Sequence, residues 1–218
     1  MCRKLADGAE ACVINVEYPL SPEVKFPREK EQTYDVVSYV YHHPEEFKID
    51  NQAMAVCGYS AGANIAAVVA MMAKEEGEFT FRCQALNYPP TDIATSAYDK
   101  FYTEGAIPRD IATLFDACYR LPEQAKDPHC SPLFADIEDL KGLPPAIVLT
   151  CEIDSLRDEG EEYAKHLMQA GVLTIAQRML GARHGVTEQN DLPQSLESQE
   201  FLIRAMKLFL ENDIRNIK

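Results

Sequence analysis

An open, mostly parallel α/β sheet, with helices on both faces and one helical and loop insertion, is the fold class predicted by these 218 residues. Three observations predict it. Short continuous apolar runs alternate with stretches of helical period, the pattern of strands buried on both faces and joined by crossover helices. One junction, Gly58-Tyr59-Ser60-Ala61-Gly62, fits the G-x-S-x-G turn that lifts a serine hydroxyl out of a strand at the mouth of a helix. With 46% hydrophobic residues the chain can bury a full core as one domain, residues 1–218.

The elements follow in order. Residues 1–9 read as the end of a short helix closed near Gly8, and Ala11–Val16 as a strand buried on both faces. Proline breaks at Pro19, Pro22 and Pro27 give a loop, then a helix is expected over about Glu29–Tyr41, with Tyr34, Val37, Ser38 and Tyr41 on one face. Ala53–Cys57 is the next strand. After Ser60, the apolar residues Ile65, Val68, Val69 and Met72 recur at i, i+3, i+4 and i+7, predicting a helix with one buried face. Arg82–Tyr88 reads as a strand stopped by Pro89-Pro90. Residues 91–143 break the rhythm, holding one helix (Arg109–Tyr119) among prolines. An insertion of that length between strands is usually functional, and it is expected to contribute to a substrate pocket, with Tyr98, Phe101, Tyr102 and Phe115 as candidate lining or as ordinary core. The sheet resumes at Pro145–Thr150. A helix over Leu156–Ala170 (Ala164, Leu167, Met168 and Gly171 at helical spacing), a strand over Leu173–Arg178 and a helix over Leu196–Leu210 complete the chain, the last with Leu202, Ala205, Met206 and Phe209 as its core face.

Charge and cysteine usage narrow the function. A net charge of −14 argues against nucleic acid and anionic membrane as partners. The seven cysteines (Cys2, Cys12, Cys57, Cys83, Cys118, Cys130, Cys151) are odd in number and never spaced as C-x-x-C, which argues against a metal site or a disulfide framework. No run approaches the roughly 18 apolar residues of a membrane span, and the N-terminus lacks the apolar core of a signal peptide. A cytoplasmic chain is expected.

The G-x-S-x-G pattern alone is weak, since about one chain in fifteen of this length would carry it by chance. Its steric logic is sound: a strained turn at Ser60 brings Gly58 and Gly62 close together, where a Cβ would clash. A serine hydroxyl becomes a nucleophile only when a base takes its proton and a third group orients that base. In open α/β sheets such partners sit at the carboxyl ends of strands. Of the five histidines, His42 and His43 close a helix, His166 lies within one and His129 lies in the insertion. His184, in the loop after the last strand, is the best-placed base. Cys151–Glu159 directly follows the Ala146–Thr150 strand, and Asp154, in the strand-to-helix loop, is the preferred acid over Asp158 and Glu152; its bland reading is a helix N-cap. The order Ser60, Asp154, His184 is that of the α/β-hydrolases.

Here the chain resembles a known family, the hormone-sensitive-lipase-like branch of the α/β-hydrolases, which includes bacterial acetyl esterases and carboxylesterases. The likeness is carried by Val16-Glu-Tyr-Pro-Leu-Ser-Pro-Glu23 with Phe26-Pro27, Gly58–Asn64, Tyr88-Pro89 with Thr91-Asp92, Ser131-Pro-Leu133, Leu143-Pro-Pro145, Asp154–Gly160 and Gly181–Gly185. The resemblance implies Ser60 as nucleophile, Asp154 as acid, His184 as base, and the Ala61 N–H as an oxyanion donor. It also implies a small-molecule ester substrate with a short acyl group, no cofactor and no metal. Tyr59 stands where the family usually has aspartate, Pro19 where it has arginine, and Val186 where phenylalanine is common. The family's H-G-G-G loop has no counterpart in these residues, so the resemblance places the first strands outside them. A sheet lacking those strands would expose an edge near Ala11–Val16 and invite a homo-oligomer. Two other readings follow: a truncated or degenerate hydrolase-fold protein with little catalysis, and a peptidase or amidase on the same three residues.

Overall fold

The computed structural model describes residues 1–189 and 192–212. Four strands, β1 (Ala55–Tyr59), β2 (Cys83–Asn87), β3 (Ala146–Ile153) and β4 (Thr174–Arg183), pair in that order and run parallel throughout. The helices are α1 (Cys2–Ala9), α2 (Arg28–His42), α3 (Pro44–Phe47), α4 (Ala61–Glu76), α5 (Arg109–Tyr119), α6 (Ile137–Leu140), α7 (Arg157–Gln169) and α8 (Pro193–Glu211).

Successive strand residues point to opposite faces, and the two central strands are buried at nearly every position. Leu86, Ala146 and Val148 therefore pack on α4 and α7, against Ala63, Ala67, Tyr163 and Leu167. Their neighbours Cys83, Ala85 and Ile147 pack on the other face against Leu5 of α1 and Leu202, Met206 and Phe209 of α8. Tyr34, Val37 and Tyr41 of α2, expected from the sequence to share one face, lie over Ile65, Val69 and Ala73 of α4.

Three expectations change. Ala63–Met71 is buried without a break, so α4 has no solvent stripe. Wedged between the sheet and α2, it is hydrophobic all round because it is covered all round. On α7, Met168 is exposed and Tyr163 takes its place in the core. Ala11–Val16 is not a strand: it has no regular secondary structure, and Cys12–Tyr18 make no backbone-to-backbone hydrogen bond among the described residues. A strand exists only as part of a ladder, and a groove of about 810 Å³ separates this run from β1.

Residues 91–143 leave the sheet after β2 and return at β3, carrying α5 and α6. They are held to the body by cations and buried hydrogen bonds. Lys30 of α2, 1% exposed, reaches Glu29 Oε1 at 3.0 Å and the Tyr119 hydroxyl, while that hydroxyl donates to Glu29 Oε1 at 2.7 Å. The Lys30 ammonium also stands 5.2 Å from the Phe26 ring centroid and 4.8 Å from that of Tyr119. Lys25, outside the segment, donates to the carbonyls of Ala117 and Cys118, and within the segment Arg120 donates to the Ile93 carbonyl through two nitrogens. On the other side, buried Glu159 of α7 accepts from the Thr91 and Asp92 N–H groups at 2.9 and 3.1 Å and pairs with Lys100 at 2.6 Å.

Removing one partner of a buried ion pair leaves the other charge uncompensated, at about 3–5 kcal/mol. Lys30→Met is expected to lower stability by about that amount in urea unfolding. Lys165→Met, which breaks only an exposed helical pair with Glu162, is expected to change it by less than about 0.5 kcal/mol.

Candidate active site

Ser60 closes β1 and opens α4 at φ 52°, ψ −123°, a conformation that an L residue adopts only under strain. The turn is so tight that a Cβ on Gly58 would stand 2.0 Å from the Gly62 carbonyl oxygen. Only glycine fits at 58. Gly62 differs from expectation: a Cβ there would meet no atom within 4 Å, because the crowding is between position 58 and the backbone of 62. The turn is clamped from β2. The Ser60 N–H donates to the Asn87 carbonyl at 2.9 Å, and the Asn87 side-chain amide donates to the Gly58 carbonyl at 3.0 Å.

The register of the sheet brings the other two residues together. Ile153 of β3 is paired with Arg183 of β4, across an irregularity at Cys151 and Ile153. Asp154 and His184 are thus the next residues on neighbouring strands, both at carboxyl ends. The Asp154 carboxylate lies 2.7 Å from His184 Nδ1, and His184 Nε2 lies 2.8 Å from Ser60 Oγ. Asp154 is fully buried, with its second oxygen accepting the Leu156 N–H at 3.1 Å. A carboxylate can only accept, so the imidazole proton sits on Nδ1 and Nε2 keeps its lone pair for the serine. His184 is followed by Gly185 at φ 77°, which lets the chain turn away.

The alternatives lie elsewhere. His42 pairs with Glu78, His129 with Glu75 and His166 with Glu162, while His43 bonds the Tyr39 carbonyl. Glu152 accepts the Gly181 N–H and Asp158 pairs with Arg157, so neither faces His184. Burial pushes the Cys57 and Cys151 thiols up to about 12, leaving both protonated near neutral pH and poor nucleophiles. Ala61 is the first residue of α4, and its N–H makes no hydrogen bond among the described residues. It points outward at the positive end of the helix, where negative charge is favoured.

Sequence reasoning passed over Tyr88 as a site residue. Its ring meets the His184 imidazole edge-to-face, centroids 4.9 Å apart, and its hydroxyl shares a 2.7 Å hydrogen bond with Thr187. An aromatic residue ending an apolar run just before Pro89-Pro90 was the available signal; its φ of 42° was not. Tyr59 leans on Tyr88. Of the candidate pocket residues, Tyr98 and Tyr102 sandwich Arg109, Phe101 faces Arg157 at 3.7 Å, and Phe115 is 60% exposed. None of the four lines the groove beside β1 or a cavity of about 310 Å³ over α7 and β4. Among the described residues no cluster of His, Cys, Asp or Glu is arranged to hold a metal ion, and no helix is long and apolar enough to cross a membrane.

A family model described as alpha/beta hydrolase fold matches residues 1–188. The chain belongs to the α/β-hydrolase family. A protein of Acanthamoeba polyphaga mimivirus named as an α/β hydrolase is 34% identical over 99% of this chain and 61% of its own length. An arylesterase of Saccharolobus solfataricus is 33% identical over 84% of this chain and 60% of its own. In three dimensions an esterase of Pyrobaculum calidifontis superposes with a TM-score of 0.88 at 38% identity, over 94% of this chain and 69% of that one. These likenesses bear out the resemblance to the hormone-sensitive-lipase-like branch and the α/β-hydrolase fold. The chain spans about 60% of the length of these curated relatives.

The crowding at the turn gives a paired expectation. Gly58→Ala is expected to cost about 3 kcal/mol or more, at or above the usual overpacking range, or to prevent folding. Gly62→Ala should change stability by less than about 1 kcal/mol, since alanine is also the better helix former. Thermal or urea unfolding of the two variants beside the parent checks it.

Proposed function

We propose that this protein is a serine carboxylic-ester hydrolase that takes small-molecule esters with a short, acetyl-like acyl group. The observation that carries the reading is the unbroken relay from Asp154 through His184 to Ser60, with donor–acceptor spacings of 2.7 and 2.8 Å at the carboxyl ends of three parallel strands. The esterases among its structural relatives support the reaction class, and the family resemblance supports the small acyl group.

In this mechanism Ser60 Oγ attacks the ester carbonyl carbon as its proton passes to His184 Nε2. The carbonyl π pair moves to oxygen, and the Ala61 N–H donates to that oxyanion. Asp154 holds the Nδ1 tautomer and stabilises the imidazolium. Collapse expels the alcohol, which takes the Nε2 proton and leaves an acyl group on Ser60. A water molecule then repeats the sequence, giving the carboxylic acid and the free serine. The Tyr88 ring, held by Thr187, restricts the imidazole to the plane the relay needs. No step calls for a metal or an organic cofactor.

The test is hydrolysis of p-nitrophenyl acetate by the chain and by Ser60→Ala. The parent should release p-nitrophenolate above background and Ser60→Ala should not; equal rates would remove Ser60 from the reaction. Asp154→Asn, which offers a donor where the relay needs an acceptor, is expected to lower kcat by roughly 10⁴ with little change in KM. A series of p-nitrophenyl esters of rising chain length, with the matched anilides, reports acyl size and separates esterase from amidase.

A further inference from the structure

The buried stripe of α8 changes character along its length. Ser195, Ser198 and Gln199 begin it, and Leu202, Met206 and Phe209 continue it at helical spacing. Ser195 and Ser198 are fully buried and Gln199 is 3% exposed. A buried polar side chain is costly unless its donors and acceptors are matched, a cost that an apolar residue does not carry. Here they are matched, and the matching has a direction. The Lys4 ammonium of α1, which can only donate, reaches Gln199 Oε1 at 2.8 Å. That fixes which way the amide lies, so its nitrogen donates to the Thr187 carbonyl at 2.7 Å and to Ser195 Oγ at 3.0 Å. Ser195 Oγ donates to the same carbonyl at 3.3 Å. Thr187, three residues after His184, is thus held by its backbone to α8. Its hydroxyl shares the 2.7 Å bond with Tyr88, whose ring meets the imidazole.

We propose that Gln199 and Thr187 are positioning residues for His184, acting through Tyr88; the role rests on the ester-hydrolase reading above. The chemistry needs such a support at one stage in particular. In the free enzyme both ring nitrogens are bonded, Nδ1 to Asp154 and Nε2 to Ser60. Both bonds lie in the ring plane, so neither opposes a tilt about the line that joins the two nitrogens. Once Ser60 Oγ carries the acyl group it has no proton to offer, and of the two bonds the one to Asp154 remains. His184 ends a strand beside Gly185 at φ 77°, a junction that by itself lets the ring swing. The Tyr88 ring crosses the imidazole at 66°, and its hydroxyl is tied to a turn that α8 holds. That contact does not depend on what Ser60 carries. A misplacement of about 1 Å at the reacting atoms can cost about a hundredfold in rate.

The test measures kcat and KM for p-nitrophenyl acetate in Gln199→Met, which keeps the length of the side chain without its donors, and in Thr187→Val, which keeps its shape without the hydroxyl. Thr187→Ser keeps the hydroxyl. Ser198→Ala removes a buried bond, to the Ser195 carbonyl at 2.8 Å, that lies off this route. All are assayed well below their melting temperatures, and the low-field proton signal of His184 Nδ1–H is recorded by NMR for each. Gln199→Met and Thr187→Val are expected to lower kcat about tenfold or more, to change KM by less than about twofold, and to broaden the low-field signal. Thr187→Ser should recover most of kcat, and Ser198→Ala should keep it whatever happens to the melting curve. Tyr88→Phe and Thr187→Val remove the same bond, so the double variant should lose no more than either alone. Parent-like kcat with an unbroadened signal in either folded variant, Gln199→Met or Thr187→Val, would overturn the proposal. So would an equal loss of kcat in Ser198→Ala. Should Gln199→Met fail to fold, the contrast of Thr187→Val with Thr187→Ser carries the test. If the parent releases no p-nitrophenolate, the ester reading falls, and the NMR signal alone decides whether these residues hold the imidazole.

Discussion

The close approach of residue 58 to the backbone of residue 62 is the contact on which the rest of the site depends. It forces the chain to reverse within one residue, and Ser60 carries the resulting strain, of order 1–3 kcal/mol. Something must hold that conformation. The Asn87 carbonyl and amide grip the turn from one side, and α4, buried along nearly its whole length, anchors it from the other. The burial of Ala63–Met71 offsets the strain many times over, since each large apolar side chain contributes about 1.5–3 kcal/mol. A well-packed helix thus keeps one hydroxyl in a position that local preference opposes.

The same sheet explains why residues far apart in sequence meet. Parallel strands end on one edge, so whatever follows β1, β2, β3 and β4 shares a surface. Ser60 and Tyr88 follow a register pair, Tyr59 and Asn87; Asp154 and His184 follow another, Ile153 and Arg183. This is why Ser60, Asp154 and His184 can be picked out as candidates from the sequence alone. Each lies just past an apolar run, and a parallel topology leaves little freedom about where such residues go. Helices with strong periodicity, α5 and α8 among them, were legible for the same local reason.

What could not be read depends on neighbours that sequence does not announce. Ala11–Val16 has the composition of a buried strand, but composition cannot show whether a ladder partner stands beside it. Gly62 sits in the motif as prominently as Gly58, and only the direction of the missing Cβ distinguishes them. Lys30 and Glu159 look like surface residues of ordinary helices until Tyr119 and Lys100, many residues away, are seen to close over them. Tyr88 owes its place against the imidazole to a backbone angle and to a histidine almost a hundred positions later.

Those buried ions have a consequence for residues 91–143. The segment is fastened at a few points: Tyr119 at one end of α5, Lys100 with the Thr91 and Asp92 amides near the start, and the Cys130 carbonyl taken by Asn64. Between the fastenings its aromatic surface, from Tyr98 to Phe115, is largely open to solvent. Attachment and outer surface are therefore carried by different residues. Such a division lets the outer surface diversify from one descendant to the next while the seat beneath it, and the alignment of the three strand ends, stays the same.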